Sequence, residues 1–411
     1  MLTVGDVVAA LETRYPPAWA EEWDAVGLTC GDRDAPVRSL LLAVDPVDAV
    51  VSEAAAGGVD MIVTHHPLLL RGVHSIEAGT PKGRILHRLV RDGIALASAH
   101  TNADVATPGV SDALAEALGL QDVRPLAPAT EDLDKIVTFV PHADADAVLD
   151  ALAAAGGGRI GTYERCAYLL EGTGTFRPLE GSRPAIGRVG DVELVPETRL
   201  EMVLPRQARA DVVAALRRAH PYEEPAFDVL ELAPFASRRG LGRVGTLPEP
   251  ESLEDFLARV TSALPATIGG VRAAGDADRQ VRSVAVCGGS GDSLLAAAGA
   301  SGSDVFVTAD LRHHPASESV EAGGPALVDV SHWASEWPWL PVAARLLVAD
   351  LGAAAEGLEV RVGPMSTLVV GESSRVFAAL QEGFEHAAAG GPVAMVATVS
   401  NACPVVDRRS R

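Results

Sequence analysis

The chain has 411 residues, a length that favours two or three domains over a single core. Hydrophobic residues make up 48% and charged residues 22%, which is typical of a globular α/β protein and excludes a largely disordered chain. The formal net charge of -21 argues against nonspecific nucleic-acid binding, because phosphate backbones are held mainly by clustered lysine and arginine.

Lysine, cysteine and N-terminal patterns narrow the class of protein further. Neither lysine, Lys82 or Lys135, lies in a Gly-rich phosphate-binding loop, so P-loop activity is not expected. The N-terminus is predicted to be a capped helix rather than a signal peptide, and no stretch reaches the ~18 apolar residues of a membrane span. We therefore expect a cytoplasmic protein. Widely spaced cysteines predict buried thiols: Cys30, Cys166, Cys287 and Cys403.

Residues 1–133 are predicted to form the first half of an α/β core. Apolar strands at Leu40–Asp45 and Gly58–Thr64 flank an Ala-rich helix, and a third strand covers Ala95–Ala99. Continuous apolar strands are typical of parallel sheets that are buried on both faces. The second strand leads into His65, and the third leads into His100-Thr101-Asn102-Ala103-Asp104.

Residues 134–235 break this pattern and are predicted to form an inserted α+β domain. Polar segments with Pro and Gly, near Pro125–Asp134 and Pro234–Gly242, are its predicted entry and exit. Its predicted strands are Lys135–Val140, the region of Cys166–Leu170, Arg199–Leu204 and Ala226–Leu232, and its predicted helices are residues 143–154 and Gln207–Ala219.

Residues 236–371 repeat the order of the first half. Val284–Cys287 is a predicted strand, and Gly302–Thr308 repeats the phrase Gly-x-Asp-apolar-apolar-apolar-Thr of Gly58–Thr64. Ala326–Ser331 then leads into His332-Trp333-Ala334-Ser335-Glu336, so each half has a strand followed by His-x-x-x-carboxylate. Two echoes in the same order predict duplicated βαβ-rich halves that form one core. Residues 372–411 have no clear register with either half.

The candidate site consists of five side chains at predicted strand ends: His65, His66, Asp104, His332 and Glu336. Ligands of open α/β sheets bind beyond the carboxyl ends of strands, so the topology is expected to bring these residues together. Adjacent histidines before Pro67 can face one cavity, and a carboxylate four residues after a histidine shares its helix face. The nitrogen and oxygen donors suit two ions of zinc, iron or manganese, and favour hydrolysis by a metal-activated water.

Other polar residues near these strand ends have two interpretations. His100 could be a ligand, as the repeat partner of His332, or it could orient Asp104. Three residues could line the mouth of the site, although a position at the surface, or one that supports the ligands from behind, is the favoured interpretation: Asp310, His313 and His314. Two further histidines are interpreted as ordinary exposed or hydrogen-bonded side chains: His87 and His142.

Four phrases resemble the dinuclear metal centre hexameric protein family, the Ngg-interacting-factor-three-like proteins, over about residues 1–370. They are Trp23-Asp24-Ala25-Val26-Gly27-Leu28, Val63-Thr64-His65-His66-Pro67, His100-Thr101-Asn102-Ala103-Asp104 and Ser331-His332-Trp333-Ala334-Ser335-Glu336. The segment His220-Pro221-Tyr222-Glu223-Glu224-Pro225 is similar to the inserted domain of longer bacterial members, which has a PII- or CutA-like fold.

This resemblance implies that two metal ions are bound, with Glu336 as the bridging ligand, by the five residues His65, His66, Asp104, His332 and Glu336. It also implies a toroidal homohexamer with metal sites that face an inner cavity. Many members carry the label GTP cyclohydrolase 1 type 2 homolog. The chain departs from the family by continuing past a predicted strand at Val360–Val370 into residues 372–411.

Three functions are consistent with the sequence. The first is a metal-dependent hydrolase or cyclohydrolase that acts on a small substrate such as a nucleotide or phosphoester. A GTP site would need stacking aromatics, and the sequence does not identify them. The second is a non-enzymatic metal-binding regulatory protein, with the insert as a sensor or interaction module. In the third, the metal serves only assembly.

Overall fold

The computed structural model describes residues 1–363, so the tail at 372–411 and the end of the predicted strand Val360–Val370 lie outside the described residues. The chain divides into two compact units. Unit 1 comprises Met1–Ala127 and the chain from Arg239 onward, and unit 2 comprises Pro128–Arg238. The domain boundaries predicted after residues 133, 235 and 371 stay predictions.

The amino-terminal part of the chain alternates helices and strands. Its first helix begins as predicted, because the Thr3 hydroxyl accepts a hydrogen bond from the Asp6 amide while the Asp6 carboxylate accepts from the Thr3 amide. The elements are α1 (Val4–Arg14), β1 (Gly27–Cys30), β2 (Ser39–Ala43), α2 (Asp48–Gly57), β3 (Met61–Thr64), α3 (Pro81–Asp92), β4 (Ala95–Ser98), α4 (Thr101–Asp104), α5 (Val110–Ala117) and β5 (Gln121–Glu131).

Unit 2 has a four-stranded antiparallel sheet and two helices. The elements are β6 (Leu133–Pro141), α6 (Ala145–Ala154), β7 (Tyr168–Phe176), β8 (Glu193–Pro205), α7 (Arg209–Ala219) and β9 (Phe227–Glu231). The strand order is β7-β8-β6-β9. Ile136, Leu200 and Leu216 belong to the hydrophobic core that the helices share with the sheet. The strand predicted around Cys166 begins instead at Tyr168, after a turn that pairs Ile160 with Tyr163.

The carboxyl-terminal part of the described chain completes unit 1. The elements are β10 (Phe235–Ser252), α8 (Leu253–Ala263), β11 (Arg272–Ala274), β12 (Gln280–Ser290), α9 (Leu295–Ala300), β13 (Val305–Ala309), α10 (His313–Glu321), β14 (Ala326–Val330), α11 (His332–Glu336), α12 (Trp339–Leu351) and β15 (Glu359–Val362). Short 3₁₀ turns lie at Pro17–Trp19, His142–Asp144, Arg206–Ala208, Asp292–Leu294 and Gly352–Ala355.

Unit 1 contains two sheets whose central strands are parallel. The first has the order β1-β4-β3-β2-β15, and the second has the order β11-β14-β13-β12-β10-β5. In β2, Leu40 and Leu42 enter one hydrophobic core while Leu41 enters another on the opposite face. The same alternation separates Val284 from Ala285 in β12. Both sheets are therefore covered on two sides, which explains the continuous apolar sequence of these strands.

The repeated Gly-x-Asp phrase makes the same hydrogen bonds in both sheets. The Asp60 carboxylate accepts from the backbone amides of Arg38 and Ser39, at 2.8 and 3.0 Å. The Asp304 carboxylate accepts from the amides of Arg282 and Ser283, at 2.9 and 2.8 Å. Each aspartate thus fixes the start of the neighbouring parallel strand.

Two elements near the end of the described chain complete the first sheet. β15 pairs in parallel with β2, so Val360 lies opposite Leu40. Trp339 and Leu347 of α12 are buried in the core that contains Val7 of α1. The first sheet therefore combines β1 to β4 from the amino-terminal part of unit 1 with β15 from its carboxyl-terminal part. The sequence repeat did not predict this pairing.

One helical run, His332–Ala355, is long and apolar enough to span a membrane by length and composition, although the sequence was expected to lack such a stretch. A single run of this kind is weak evidence, because core helices of soluble proteins pass the same test. Here Trp339, Leu340 and Ala343 are buried inside unit 1. One side of this run therefore packs against the core of unit 1, and most of its residues are not buried.

Candidate metal centre

His65 and His66 follow directly after β3. Their backbone amides donate to the carbonyls of Ala43 and Val44, at 3.1 and 2.9 Å, so the chain remains beside β2 for two residues beyond β3. The two rings are nevertheless on the same side, with centroids 4.9 Å apart and planes tilted by 45°. The turn towards Pro67 therefore directs both rings to the same side of the chain.

The carboxylates of the candidate site lie on two short helices at the ends of parallel strands. α4 follows β4 and ends at Asp104, and α11 follows β14 and spans His332 to Glu336. Because His332 and Glu336 are one helical turn apart, His332 Nε2 lies 2.9 Å from Glu336 Oε1. Glu336 is buried, with 2% of its surface exposed.

The structure brings all five predicted side chains together. His65 Nε2 lies 3.6 Å from Asp104 Oδ1 and 3.5 Å from Glu336 Oε1. His66 Nε2 lies 3.4 Å from Glu336 Oε2. The Glu336 carboxylate is therefore central, because one oxygen faces His65 and His332 and the other faces His66.

His100 belongs to the same cluster. Its ring centroid lies 5.1 Å from that of His65 and 5.3 Å from that of His66. Its Nδ1 bonds the Asp24 carboxylate at 2.8 Å, and its backbone carbonyl accepts from the Asp104 amide at 3.1 Å. The backbone bond ties Asp104 to His100, and the His100 ring lies within a possible group of metal donors, so both interpretations of His100 stay predictions.

Every histidine of the cluster is held through Nδ1. The His65 ring bonds the Ala99 carbonyl at 2.9 Å, and the His66 ring bonds the Asp45 carboxylate at 2.7 Å. The His332 ring bonds the Asp310 carboxylate at 2.5 Å. With oxygens at Nδ1, the rings present Nε2 to the interior of the cluster, as metal-binding histidines do.

Asp24 and Asp45 were not assigned the role of holding these rings from the sequence, whereas Asp310 was predicted to lie at the surface or to support the ligands. Asp45 lies two residues beyond the end of β2, and Asp310 directly follows β13. Asp24 lies in the first of the four family phrases, where its other oxygen accepts from the Thr101 backbone amide at 3.1 Å. Their positions after a strand or in a family phrase could have marked them as part of the site. The histidines that they hold come from distant segments, so the sequence did not indicate these pairs.

Burial and charge shift the pKa values of the cluster. Burial alone would lower the pKa of His66, but Asp45 and Glu336 raise it to about 10. Burial also opposes the charge on His332, yet Glu336 and Asp310 raise its pKa to about 9. Burial raises the pKa of Asp104 to about 6. The carboxylates thus create a negative potential that favours a cation among these rings.

The donor set and its unpaired atoms fit a divalent metal. His65 Nε2, Asp104 Oδ1 and Glu336 Oε2 are buried and, within residues 1–363, have no hydrogen-bond partner. Such atoms are costly unless they are satisfied, and a metal ion would satisfy all three. Two groups of donors, which share His66, could each hold an ion. The first is His65, His66 and His100, and the second is His66, His332 and Glu336.

A glycine keeps space open beside this donor set. Gly289 has φ +70°, and a Cβ there would lie 2.5 Å from Glu336 Oε1 and 3.1 Å from His332 Nε2. Its amide donates to Ser335 Oγ at 2.8 Å, which fixes the loop against α11. A side chain at this position would occupy the space in front of the donors.

The remaining candidates lie away from the cluster. His313 and His314 are exposed on α10, with ring centroids 5.2 Å apart. His87 bonds the Ile76 carbonyl through Nε2 at 2.9 Å, and His142 bonds the Thr198 hydroxyl through Nδ1 at 2.7 Å.

Trp23, which is 57% exposed, lies edge-on to His100 with a centroid distance of 5.9 Å.

Comparison with known proteins identifies the family. Residues 2–367 match the sequence model of Duf34/NIF3 (NGG1p interacting factor 3). The chain belongs to the Duf34/NIF3 family. The resemblance carried by the four phrases is thereby confirmed.

Relatives of this family match the chain almost end to end. A Mycobacterium tuberculosis protein named GTP cyclohydrolase 1 type 2 homolog is 52% identical over 366 residues, covering 89% of this chain and 95% of the relative. A Bacillus subtilis protein of the same name is 40% identical over 331 residues, covering 80% and 88%. The crystal structure of a Bacillus cereus protein related to NIF3 has a TM-score of 0.74 at 36% identity and covers 90% of this chain and 99% of that one.

Proposed function

We propose that this Duf34/NIF3 protein binds two divalent metal ions and is a metal-dependent hydrolase. The observation that carries the proposal is the set of three buried polar atoms without partners, on His65, Asp104 and Glu336, inside a cluster of imidazoles. A protein interior tolerates such a set only if a ligand satisfies it.

The proposed ligands divide into two overlapping groups. His65 and Asp104 would hold one ion and His66 and His332 the other. Glu336 would contribute to both groups, because its Oε1 faces His65 and His332 and its Oε2 faces His66. Zinc, iron and manganese accept this mixture of nitrogen and oxygen donors. When bound, a pair of such ions would lower the pKa of a water molecule between them and stabilise charge on a leaving oxygen.

The residues around the proposed ligands have positioning roles. Asp45, Asp310 and Asp24 each fix an imidazole through Nδ1, which sets the tautomer and the direction of Nε2. The exposed indole of Trp23 offers an apolar surface beside His100, against which a flat substrate could pack. This supports a nucleotide among the proposed nucleotide or phosphoester substrates, and the relatives' name mentions GTP.

A matched set of variants tests hydrolysis. Protein loaded in turn with Zn²⁺, Mn²⁺ or Fe²⁺ is assayed with GTP and with a panel of phosphoesters. We expect His65→Ala and Glu336→Ala to lower kcat/KM by a factor of about 100 or more, because each removes a proposed ligand. The control His314→Ala changes an exposed histidine on α10 and should retain the wild-type rate.

An unchanged rate in both ligand variants would contradict the hydrolase proposal. Absence of turnover with every metal and substrate would favour the alternative, a non-enzymatic metal-binding regulatory protein. The separate hydrophobic core of unit 2 supports that alternative, because a unit with its own core can act as a sensor or interaction module.

Three further features are proposed for the whole protein. The matching hydrogen bonds of Asp60 and Asp304 support duplicated βαβ halves in unit 1. The antiparallel sheet and two helices of unit 2 are compatible with a PII- or CutA-like insert. We also propose a homohexamer in the cytoplasm, which size-exclusion chromatography with light scattering and cell fractionation would test.

A further inference from the structure

Unit 2 contains a cavity that the metal centre does not use. Its volume is about 390 Å³, which is within the size range of small-molecule sites, and all of its lining residues lie between Phe139 and Ala226. Phe139, Phe176 and Tyr222 contribute aromatic rings to its wall. The Phe176 and Tyr222 rings meet edge to face, with centroids 5.6 Å apart. The cavity therefore has an ordered aromatic side.

A buried carboxylate faces this aromatic wall. Glu197 lines the cavity, and only 8% of its surface is exposed. Its Oε1 accepts a hydrogen bond from the Tyr222 hydroxyl at 2.8 Å, whereas its Oε2 has no hydrogen bond within residues 1–363. Gly174 makes room for Oε2, since a Cβ at that position would lie 2.0 Å from this oxygen. A carboxylate oxygen without a donor remains available to a ligand.

The loop His220–Pro225 holds the aromatic wall in place. His220 Nε2 donates to the Phe139 carbonyl at 3.0 Å, and His220 Nδ1 accepts from the Tyr222 amide at 3.1 Å. The two bonds require the neutral Nε2-protonated imidazole, consistent with burial, which lowers the pKa of His220. In the His-Pro-Tyr phrase, His220 therefore holds Tyr222 at the cavity wall beside Phe139.

The charge of the cavity selects the class of ligand. Glu197, Glu223 and Glu224 line it, and none of the described lining residues is basic. Aromatic faces attract cations, and a buried carboxylate is stabilised by a positive partner. A neutral ligand could fill the apolar volume but would leave the carboxylate without a countercharge. An anionic ligand would be repelled.

We propose that unit 2 binds a compact organic cation, an ammonium or guanidinium group on an apolar body, in this cavity. The charged group lies against Glu197 Oε2, and the apolar body packs between Phe139, Phe176 and Tyr222. The site is independent of the metal centre and of the proposed hydrolysis.

Calorimetric titration of the full-length protein with phenethylamine and with its neutral analogue 2-phenylethanol tests this site. We expect phenethylamine to bind with a dissociation constant of about 1 mM or below, and 2-phenylethanol to bind about tenfold more weakly. Glu197→Gln keeps the shape and the acceptor for Tyr222 but removes the charge, and should weaken phenethylamine binding about tenfold. The control Glu164→Gln changes an exposed carboxylate of unit 2 that does not line the cavity.

Circular dichroism and the unchanged metal content of Glu197→Gln would show that the variant is folded. Tyr222→Phe provides a second check, because it retains the ring and the charge and should keep the preference for the amine over the alcohol. Equal binding of amine and alcohol, no binding of phenethylamine, or wild-type amine binding in folded Glu197→Gln would each overturn the proposal.

Discussion

At the residue scale, the orientation of each imidazole depends on an oxygen at Nδ1. The His66 ring lies between the Asp45 carboxylate at 2.7 Å and Glu336 Oε2 at 3.4 Å. Asp45 is therefore a positioning residue, because it contacts the histidine rather than the proposed metal. The same relation joins Asp310 to His332.

This arrangement predicts that Asp45→Asn weakens metal binding. The amide preserves the shape of the side chain but is a weaker partner for the His66 N–H, so metal affinity should fall by about 10- to 100-fold. Titration with Zn²⁺ in a chelator buffer measures the effect directly. Asp34→Asn is the matched control, since Asp34 is exposed after β1. Equal Zn²⁺ affinity in Asp45→Asn and the control would show that Asp45 does not position the ring.

The five residues of the site were predictable from the sequence because each lies at or just beyond a strand end. His65 and His66 follow β3, and Glu336 is one turn into the helix that follows β14. The partners at Nδ1 were not predictable in the same way. Asp45 meets His66 only because β2 and β3 are parallel neighbours, which is a property of the folded sheet.

At the element scale, the sequence predicted each strand and helix of unit 2, but β7 ends at Phe176 and β8 begins at Glu193, each six residues beyond the predicted boundary. The helix predicted at Gln207–Ala219 is preceded by a 3₁₀ turn at Arg206–Ala208 and begins at Arg209. That turn brings Arg206 and Arg209 to the buried carboxylate of Asp134, at 3.2 and 2.6 Å. The contact connects the start of β6 to the start of α7.

The Asp134 contact predicts a pH-dependent stability of unit 2. Hydrogen bonds from Arg209 and Arg206 lower the pKa of Asp134, so its stabilisation is present above the unfolded pKa of about 3.9 and is lost as the pH falls through the lower folded value. Because both arginines are more than a third exposed, Asp134→Asn should cost about 1–2 kcal/mol of unfolding free energy near pH 7. This difference from wild type should shrink as the pH falls below about 4.

Hydrogen–deuterium exchange of β6 and α7 measures this difference. Tryptophan fluorescence would not report on unit 2, because all tryptophans lie outside it: Trp19, Trp23, Trp333, Trp337 and Trp339. The control Asp132→Asn removes a half-exposed carboxylate 4.0 Å from Arg206 and should cost less than about 0.5 kcal/mol. A cost for Asp134→Asn that persists unchanged at low pH would contradict the ion-pair explanation.

The assembly of the first sheet shows what local pattern alone does not determine. The apolar runs predicted β2, β3 and β4, and their burial on both faces explains why the runs are continuous. The pairing of β15 with β2 joins segments more than 300 residues apart in the chain. Strand pairing depends on the whole topology, and the repeat within the sequence carried no information about it.

At the scale of the whole molecule, the acidic composition and the site are consistent with each other. A net charge of -21 disfavours polyanionic partners and favours the uptake of cations. Unit 1 also buries a positive charge, that of Arg243. Its guanidinium bonds the Asp112 carboxylate at 2.6 Å and the carbonyls of Gly240 and Gly242. The buried guanidinium of Arg243 is thus fully paired.

The metal content of the full-length protein, purified without added ions, tests the central claim most directly. Elemental mass spectrometry combined with protein quantitation should find two divalent ions per wild-type chain. Glu336→Gln should retain fewer than two, because Glu336 faces both donor groups. A wild-type chain that remains metal-free after incubation with Zn²⁺, Mn²⁺ and Fe²⁺, or a folded Glu336→Gln chain that retains both ions, would contradict the account.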